Sequence, residues 1–276
     1  MTLLVLATIA AGGFAGCVGA MLGLGGGIFI VPFLNLVIGL PFPSATAVSL
    51  VSIVATSSVS ATNPEQRKVT NLKLGMLLEA FSAPAALTAA YWAGSISEPT
   101  LRRIFAFSAI GIAIVMITRL NKRNVVLDPA FDIGPLGGRF YETESGKVVS
   151  YGVKRIPIAC GTSVLAGILS GLIGIGGGIV KVPVLNAWCG VPMRAAAATS
   201  AFMLGITVVA SAIPYYLRGD VVPQFAAATV LGVLAGGRLG IWLMPRIRAR
   251  ELKLMMIAML LVMAVVYLVR AGKAGA

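Results

Sequence analysis

A glycine-rich motif that occurs twice constrains this chain more than any other feature of its sequence. The first copy, Gly23–Pro32, reads GLGGGIFIVP, and the second, Gly174–Pro183, reads GIGGGIVKVP. Gly25 and Gly176 are 151 residues apart (176 − 25), and the offset holds without a gap on both sides. Other pairs at this offset are Gly16/Gly167, Leu34/Leu185, Asn35/Asn186, Pro41/Pro192, Ser49/Ser200, Thr56/Thr207, Arg67/Arg218 and Leu101/Leu252. The chain therefore consists of two copies of one unit, each with a glycine-rich break inside an apolar run.

The composition indicates an integral membrane protein. Of the 276 residues, 58% are hydrophobic and only 11% are charged, whereas soluble domains carry about a quarter charged residues. A helix needs roughly 20 apolar residues to cross the hydrocarbon core of a bilayer. Apolar runs, some of them interrupted, cover residues 3–22, 28–40, 45–61, 72–94, 101–120, 155–173, 179–190, 195–217, 222–244 and 251–270. We expect an all-α polytopic membrane protein with about eight to ten spans.

The two units flank one polar linker. We assign residues 1–120 to the first transmembrane repeat, 121–154 to the linker and 155–276 to the second repeat. Residues 139–151 alternate in polarity around Ser145 and Gly146, which predicts a small β-hairpin. A lone hairpin is marginally stable, so we expect it to lie on a membrane-facing or partner surface, unless it only decorates the linker. The first apolar run lacks a basic segment before it, so we interpret it as part of the mature fold and not as a signal peptide.

The basic residues predict an orientation in the membrane. The net charge is +13, but Lys and Arg lie between apolar runs, where they retain loops in the cytoplasm, so nucleic acid is not an expected partner. If each unit crosses the membrane an odd number of times, the second is inverted relative to the first. That arrangement places residues 67–73, 119–155 and 246–253 on one side. It puts the linker in the cytoplasm and both termini outside the inner (plasma) membrane. An even number of crossings weakens the charge bias but also keeps the linker inside.

Several kinds of site are not supported by the sequence. Cys17, Cys160 and Cys189 lie in apolar segments without a CxxC pattern, so no disulfide framework is expected. The chain has no histidine, which excludes a histidine proton relay and a histidine-ligated metal. The glycine motif is followed by no Gly-Lys-Ser/Thr sequence and lies in no βαβ pattern, so it is not a nucleotide-binding loop. We expect no catalytic residue, no metal and no cofactor.

The glycine runs suit a binding site for a small anion. Consecutive glycines cost about 1 kcal/mol each inside a helix relative to alanine, and broken helices at corresponding positions of two repeats point to a transport site near the bilayer midplane. The amides that start the following half-helix carry partial positive charge. We therefore predict that the amides of Gly25–Gly27 and Gly176–Gly178 bind substrate. The alternative is that the glycines only permit close helix packing, but packing alone would favour spaced glycines.

Hydrogen-bonding side chains beyond the motif recur in both units. They are Asn35 and Asn186, and Ser49 and Ser200, joined in the second unit by Thr199. We predict that they line the substrate pathway. Such side chains also commonly bond only a neighbouring helix, and that alternative stays open.

Charged residues within apolar runs are functional candidates by default. We predict that Lys181 or Arg238 supplies a positive charge to the substrate, whereas Arg194 lies at the membrane interface or contributes to the same site. Arg238 has the alternative of snorkelling or bonding a backbone carbonyl. Glu79 is the one carboxylate clearly within an apolar run. It is predicted either to carry a coupling proton or to pair structurally with Arg238 or Lys181.

The doubled pattern resembles one known family. Gly16, six residues, then Gly23–Pro32, repeated as Gly167, six residues, then Gly174–Pro183, is similar to the motif of the sulfite exporter TauE/SafE family, the 4-toluene sulfonate uptake permeases. The resemblance covers essentially the whole chain, although the linker hairpin is not part of the motif. It implies a bacterial or archaeal inner-membrane carrier for sulfite, sulfoacetate or related anions. It also implies no ATPase subunit and no tightly bound cofactor.

Together these observations predict a secondary carrier that alternates access between its two repeats. Its expected partners are a small anion and the lipid bilayer, and a homo-oligomer is compatible with the sequence. A channel for anions or small solutes is the first alternative. A membrane sulfur-relay protein that uses Cys17 or Cys189 is the second, although no catalytic base lies beside either cysteine. The sequence leaves open which anion moves, in which direction, and what drives it.

Overall fold

The computed structural model describes residues 2–118, 133–142 and 146–273, and its regular secondary structure is helical apart from one hairpin. The helices of the first half are α1 (Thr2–Leu22), α2 (Gly27–Pro32) with a π-helical continuation (Phe33–Ile38), α3 (Phe42–Thr62), α4 (Pro64–Val69), α5 (Leu72–Ala93) and α6 (Glu98–Thr118). The linker forms β1 (Gly138–Glu142) and β2 (Lys147–Tyr151). The second half forms α7 (Ile156–Ile173), α8 (Gly178–Ala187), α9 (Met193–Leu217), α10 (Pro223–Leu243), a 3₁₀ turn (Met244–Arg246) and α11 (Ala249–Lys273).

The predicted all-α membrane fold is confirmed. Within the described residues, six helices are long and apolar enough to cross a membrane, namely α1, α3, α5, α7, α9 and α10. The helix Gly27–Ile38, which joins α2 to its π-helical continuation, and α8 are shorter apolar helices that follow the glycine breaks. The runs predicted at 101–120 and 251–270 form α6 and α11, whose first turns carry charged residues. The chain is a multi-pass membrane protein.

The helices of the two units pack across each other. Helix α1 packs along α10, and α5 packs along α7. These two contacts correspond at the offset of 151 residues, because α7 is the counterpart of α1 and α5 is the counterpart of α10. Small residues allow the backbones to touch: a β-carbon on Gly12 would lie 2.8 Å from the Thr229 carbonyl oxygen, and one on Gly167 would overlap the Ser82 carbonyl oxygen. Association through small residues is the usual mode in membranes.

The predicted β-hairpin is confirmed in the linker. β1 and β2 are antiparallel, with Gly138 opposite Tyr151 and Phe140 opposite Val149. The predicted turn residue Ser145 lies outside the described residues. Phe140, Val149 and Tyr151 are buried in the main core cluster. We expected the hairpin to lie on a membrane-facing or partner surface. That expectation is wrong for the face formed by Phe140, Val149 and Tyr151, because these side chains pack against the rest of the same chain.

A single asparagine anchors the hairpin to the helices. The Asn71 side chain donates to the Leu136 carbonyl oxygen at 2.8 Å and lies 3.2 Å from the Tyr151 hydroxyl. Its carboxamide oxygen accepts from the Leu74 amide and so caps α5. Burial raises the pKa of Tyr151, and the hydrogen bond to Asn71 opposes that shift. The hairpin is thus fixed at the end of the molecule where α5 and α7 begin.

Candidate functional site

Both glycine motifs break the helices where the sequence predicted. Helix α1 ends at Leu22 and α2 begins at Gly27, and α7 ends at Ile173 and α8 begins at Gly178. The residues before the new helices, Gly26 and Gly177, have φ of 84° and 71°, and neither helix start has a side-chain cap. Residues other than glycine rarely adopt this conformation. The second glycine of each triplet is therefore required by the backbone.

The third glycine of each triplet is required by the opposite unit. A β-carbon on Gly27 would lie 2.6 Å from the carbonyl oxygen of Gly174, and one on Gly178 would overlap the carbonyl oxygen of Gly23. The contacts correspond at the offset of 151 residues. The glycine loops of the two units therefore meet, and each new helix begins beside the other unit's loop.

Two serines hold the glycine loops together through hydrogen bonds. Ser49 Oγ on α3 donates to the Gly174 carbonyl oxygen at 2.8 Å, and Ser200 Oγ on α9 donates to the Gly23 carbonyl oxygen at 2.8 Å. Both serines are completely buried. Each unit thus supplies the hydrogen bond that holds the other unit's loop, a contact that the sequence did not predict.

Two apolar side chains close off the loops. A β-carbon on Gly25 would lie 2.5 Å from Ile53 and 3.0 Å from Leu204, and one on Gly176 would meet the same two side chains at 3.3 and 2.9 Å. Ile53 and Leu204 are themselves related by the offset of 151 residues (204 − 53), and both are buried. The glycine loops are therefore shut off on this side by a symmetric apolar pair.

The other predicted polar residues are engaged elsewhere. Asn35 donates to the Leu40 carbonyl oxygen at 2.8 Å, and Asn186 donates to the Val191 carbonyl oxygen at 2.9 Å. Each asparagine ties the end of its short helix to the following connection. Thr199 accepts from the Asn71 amide at 2.9 Å. Thr199 thus bonds the start of a neighbouring helix, as the alternative supposed, whereas the two asparagines bond the connections after their own helices.

Lys181 and Glu79 form a buried ion pair. The Lys181 Nζ lies 2.5 Å from Glu79 Oε1, and the two side chains are 1% and 3% exposed. Lys181 also donates to Ser82 Oγ at 2.9 Å and to Thr207 Oγ1 at 3.0 Å. Thr207 Oγ1 donates to Glu79 Oε2 at 2.7 Å. The network joins α5, α8 and α9, and Lys181 follows the second glycine loop by one helical turn.

This charged network joins the two units, with Glu79 and Ser82 from the first and Lys181 and Thr207 from the second, and it is not repeated at the positions related by the internal offset. The counterparts of Lys181, Glu79 and Ser82 at the offset of 151 residues are all aliphatic, namely Ile30, Val230 and Val233. The counterpart of Thr207 is Thr56, which donates to the Gly25 carbonyl oxygen at 3.1 Å. The sequence identified Lys181 and Glu79 but missed Ser82 and Thr207. The sequence marks Ser82 and Thr207 only as polar residues within apolar runs.

The two arginines do not reach the glycine loops. Arg238 is exposed on α10, because the neighbouring Gly236 and Gly240 face α1 instead. Arg194 is 8% exposed, and its Nη2 donates to the Ile247 carbonyl oxygen at 3.0 Å. Of the predicted cations, the structure brings Lys181 alone close to a glycine loop.

The described cysteines and acidic residues form no further centre. Cys17, Cys160 and Cys189 are free thiols on α1, on α7 and after α8. Among the described residues, no group of three or more His, Cys, Asp or Glu could hold a metal ion.

Comparison with known proteins gives a consistent result. The family model described as sulfite exporter TauE/SafE matches residues 8–267. A probable membrane transporter protein, YunE of Bacillus subtilis (strain 168), is 27% identical over 250 residues, which cover 88% of this chain and 89% of the relative. The probable membrane transporter protein MJ0441 of Methanocaldococcus jannaschii is 26% identical over 279 residues, which cover 92% of each. No solved structure matches.

Proposed function

Because the chain belongs to the sulfite exporter TauE/SafE family, we propose that it is a secondary transporter of a small sulfur-containing anion such as sulfite or an organosulfonate like sulfoacetate. The family match and the relatives support a membrane transporter. The identity of the anion, the inner-membrane location with a cytoplasmic linker, and the mechanism of alternating access are the proposal.

The meeting of the two glycine loops carries this proposal. Helices α2 and α8 begin beside each other's loops and have no side-chain caps. Uncapped helix starts carry partial positive charge and bind anions through their amides. Two converging starts at membrane depth suit an anion, with the amides of Gly26, Gly27 and Gly176–Gly178 as the cradle, whereas the predicted Gly25 amide donates to the Gly19 carbonyl oxygen at 3.3 Å. Ser49 and Ser200 lie at the loops, but each donates its one hydroxyl proton to a loop carbonyl oxygen, so they would donate to the anion only after those bonds break.

Alternating access is supported by packing that occurs twice. The pairs α1 with α10 and α5 with α7 correspond at the internal offset, as expected of inverted repeats that rock around a fixed site. Ile53 and Leu204 cover the loops in this conformation. Rocking of one repeat against the other would move this pair and open the site. The charge bias of the connections favours the inverted arrangement with the linker in the cytoplasm.

The ion pair supplies a candidate for coupling. Lys181 is satisfied by Glu79 here, so an arriving anion would compete with that carboxylate for Lys181. Glu79 released in this way would be buried without its cation, so the state of this carboxylate depends on whether the anion is bound. We therefore assign Lys181 to substrate binding and Glu79 to coupling. Unchanged pH dependence of flux in Glu79→Gln would remove the coupling role.

Flux of sulfite into proteoliposomes tests the function. We expect saturable flux of the wild-type protein that sulfoacetate or another sulfur-containing anion inhibits competitively. A Lys181→Ala variant should lose flux, whereas replacement of Cys17, Cys160 and Cys189 by serine should preserve it. Flux without saturation or competition would favour a channel. Loss of flux in the cysteine-free variant would favour a sulfur relay.

A further inference from the structure

A partly open pocket lies at the hairpin end of the molecule. It is bordered by α4, by the hairpin, by the start of α9 and by the end of α10. Its walls include Gln66, Phe140, Arg194, Ala198 and Met244. Residues from both units and from the linker therefore build one cavity.

The pocket and the first glycine loop are connected through helix α9. Ala198 on α9 lines the pocket. The preceding residue, Ala197, presents its backbone to Gly23, where a β-carbon would overlap the Ala197 carbonyl oxygen. Two residues further, Ser200 donates to the Gly23 carbonyl oxygen. Helix α9 therefore contacts both the pocket and the first glycine loop.

The polar side chains that line the pocket include Arg194, Gln66 and Glu65, and the exposed Glu65 carboxylate is paired with Lys68 at 2.8 Å. The Arg194 guanidinium is cationic, forked and 8% exposed, which suits the oxygens of an anion. Gln66 is 3% exposed and donates to the Met244 sulfur at 3.4 Å. Its carboxamide oxygen is buried without a hydrogen-bond partner among the described residues. A buried acceptor without a donor is costly, so a ligand that brings an N–H or O–H would satisfy it.

We propose that this pocket is an access site that captures anions carrying a hydrogen-bond donor before they reach the glycine loops. The class includes hydroxysulfonates, aminosulfonates and hydrogensulfite. Arg194 binds the sulfur-bound oxygens, and Gln66 accepts from the donor group. The inference rests on the proposed function, since it assigns the pocket to the same transport pathway. The headgroup of phosphatidylethanolamine, which has a phosphate and an ammonium group, shares this chemistry. The test therefore begins in vesicles without this lipid.

The test measures ligand protection of a cysteine in the pocket. Val69, a half-buried pocket residue, is replaced by Cys in a background with Cys17, Cys160 and Cys189 changed to Ser. The protein is reconstituted in phosphatidylcholine alone, which has no N–H donor, and its modification by an uncharged maleimide is timed. The ligands are isethionate and 1-propanesulfonate, which differ only by a hydroxyl in place of a methyl group. Thr62→Cys, exposed at the end of α3, is the control.

We expect isethionate to protect Val69→Cys at about fivefold lower concentration than 1-propanesulfonate, the value of one net hydrogen bond. Gln66→Leu should remove this difference between the two ligands. Arg194→Gln should raise the protecting concentrations of both ligands about tenfold or more. Arg194→Lys, which keeps the charge, should raise them less. Thr62→Cys should show no protection. Equal protection by the two ligands, or protection unaffected by both pocket variants, would overturn the inference. The assay is repeated in vesicles that contain phosphatidylethanolamine, and loss of the isethionate protection there would assign the pocket to the lipid headgroup and overturn the inference as well.

Flux in the same proteoliposomes separates the two proposals. Saturable sulfite flux without protection at Val69→Cys would leave the proposed function standing and overturn the access site. Protection without flux of any sulfur-containing anion would overturn the proposed function, and the access role with it.

Discussion

The buried pair of Lys181 and Glu79 makes a quantitative prediction about stability. Removing one partner of a buried ion pair leaves an uncompensated charge and costs about 3–5 kcal/mol, whereas apolar replacement of both is often neutral or stabilising. The chain provides the replacements, because Ile30 and Val230 occupy the counterpart positions. Ser82 and Thr207 would remain satisfied, since their hydroxyls lie 3.1 Å apart.

We expect Lys181→Ile and Glu79→Val each to lower the thermal unfolding midpoint by roughly 6–20 °C, from 3–5 kcal/mol at about 2–4 °C per kcal/mol. The double variant should unfold within a few degrees of the wild type. The assay is tryptophan fluorescence of purified protein heated in detergent. Lys68→Ala breaks the exposed pair with Glu65, whose side chains are 69% and 68% exposed, and should leave the midpoint unchanged.

The thermal midpoint of the double variant shows whether the Lys181 and Glu79 charges stabilise each other. A midpoint lowered by the sum of the two single effects would show that the two charges are not energetically coupled. That result would contradict both the pairing and the competition for Lys181 on which the coupling proposal depends.

Three further predictions concern the glycine loops and their surroundings. Gly178→Ala should prevent correct folding, because the new methyl group would overlap the Gly23 carbonyl oxygen. Size-exclusion chromatography should show aggregated protein. A normal elution profile would contradict the contact. Ser49→Ala and Ser200→Ala should lower the free energy of unfolding by similar amounts, about 1 kcal/mol each, and a clear inequality in their thermal midpoints would contradict the symmetric locking. Arg238→Gln should leave the KM for sulfite unchanged, because Arg238 is exposed on α10, and a raised KM would place it in the pathway.

The local features of the fold were predictable because they depend on short stretches of sequence. The glycine breaks follow from residues that no helix interior favours, and the hairpin follows from alternation around a turn. The pairing of Glu79 with Lys181 was one of two alternatives, because a charge at membrane depth needs a partner. The sequence could not choose between Lys181 and Arg238, since nothing in it shows which face of a helix is buried.

The remaining features depend on tertiary contacts between apolar surfaces. Lipid-facing and core-facing positions are both apolar in a membrane, so Leu231 and Leu239 are exposed although they look like core residues. For the same reason the outward position of Arg238 left no pattern in the sequence. The hydrogen bond from Ser49 to Gly174 spans 125 residues, and only the packing of one unit against the other reveals it.

Counterflow is the most direct test of the claim that this protein is a carrier with one alternating anion site. Proteoliposomes loaded with unlabelled sulfite are diluted into a trace of radiolabelled sulfite, with no other gradient present. The account predicts a transient accumulation of label inside the vesicles, faster than in vesicles loaded with chloride and absent with Lys181→Ala. Label that only equilibrates, at the same rate whatever the vesicles contain, would contradict alternating access and indicate a channel.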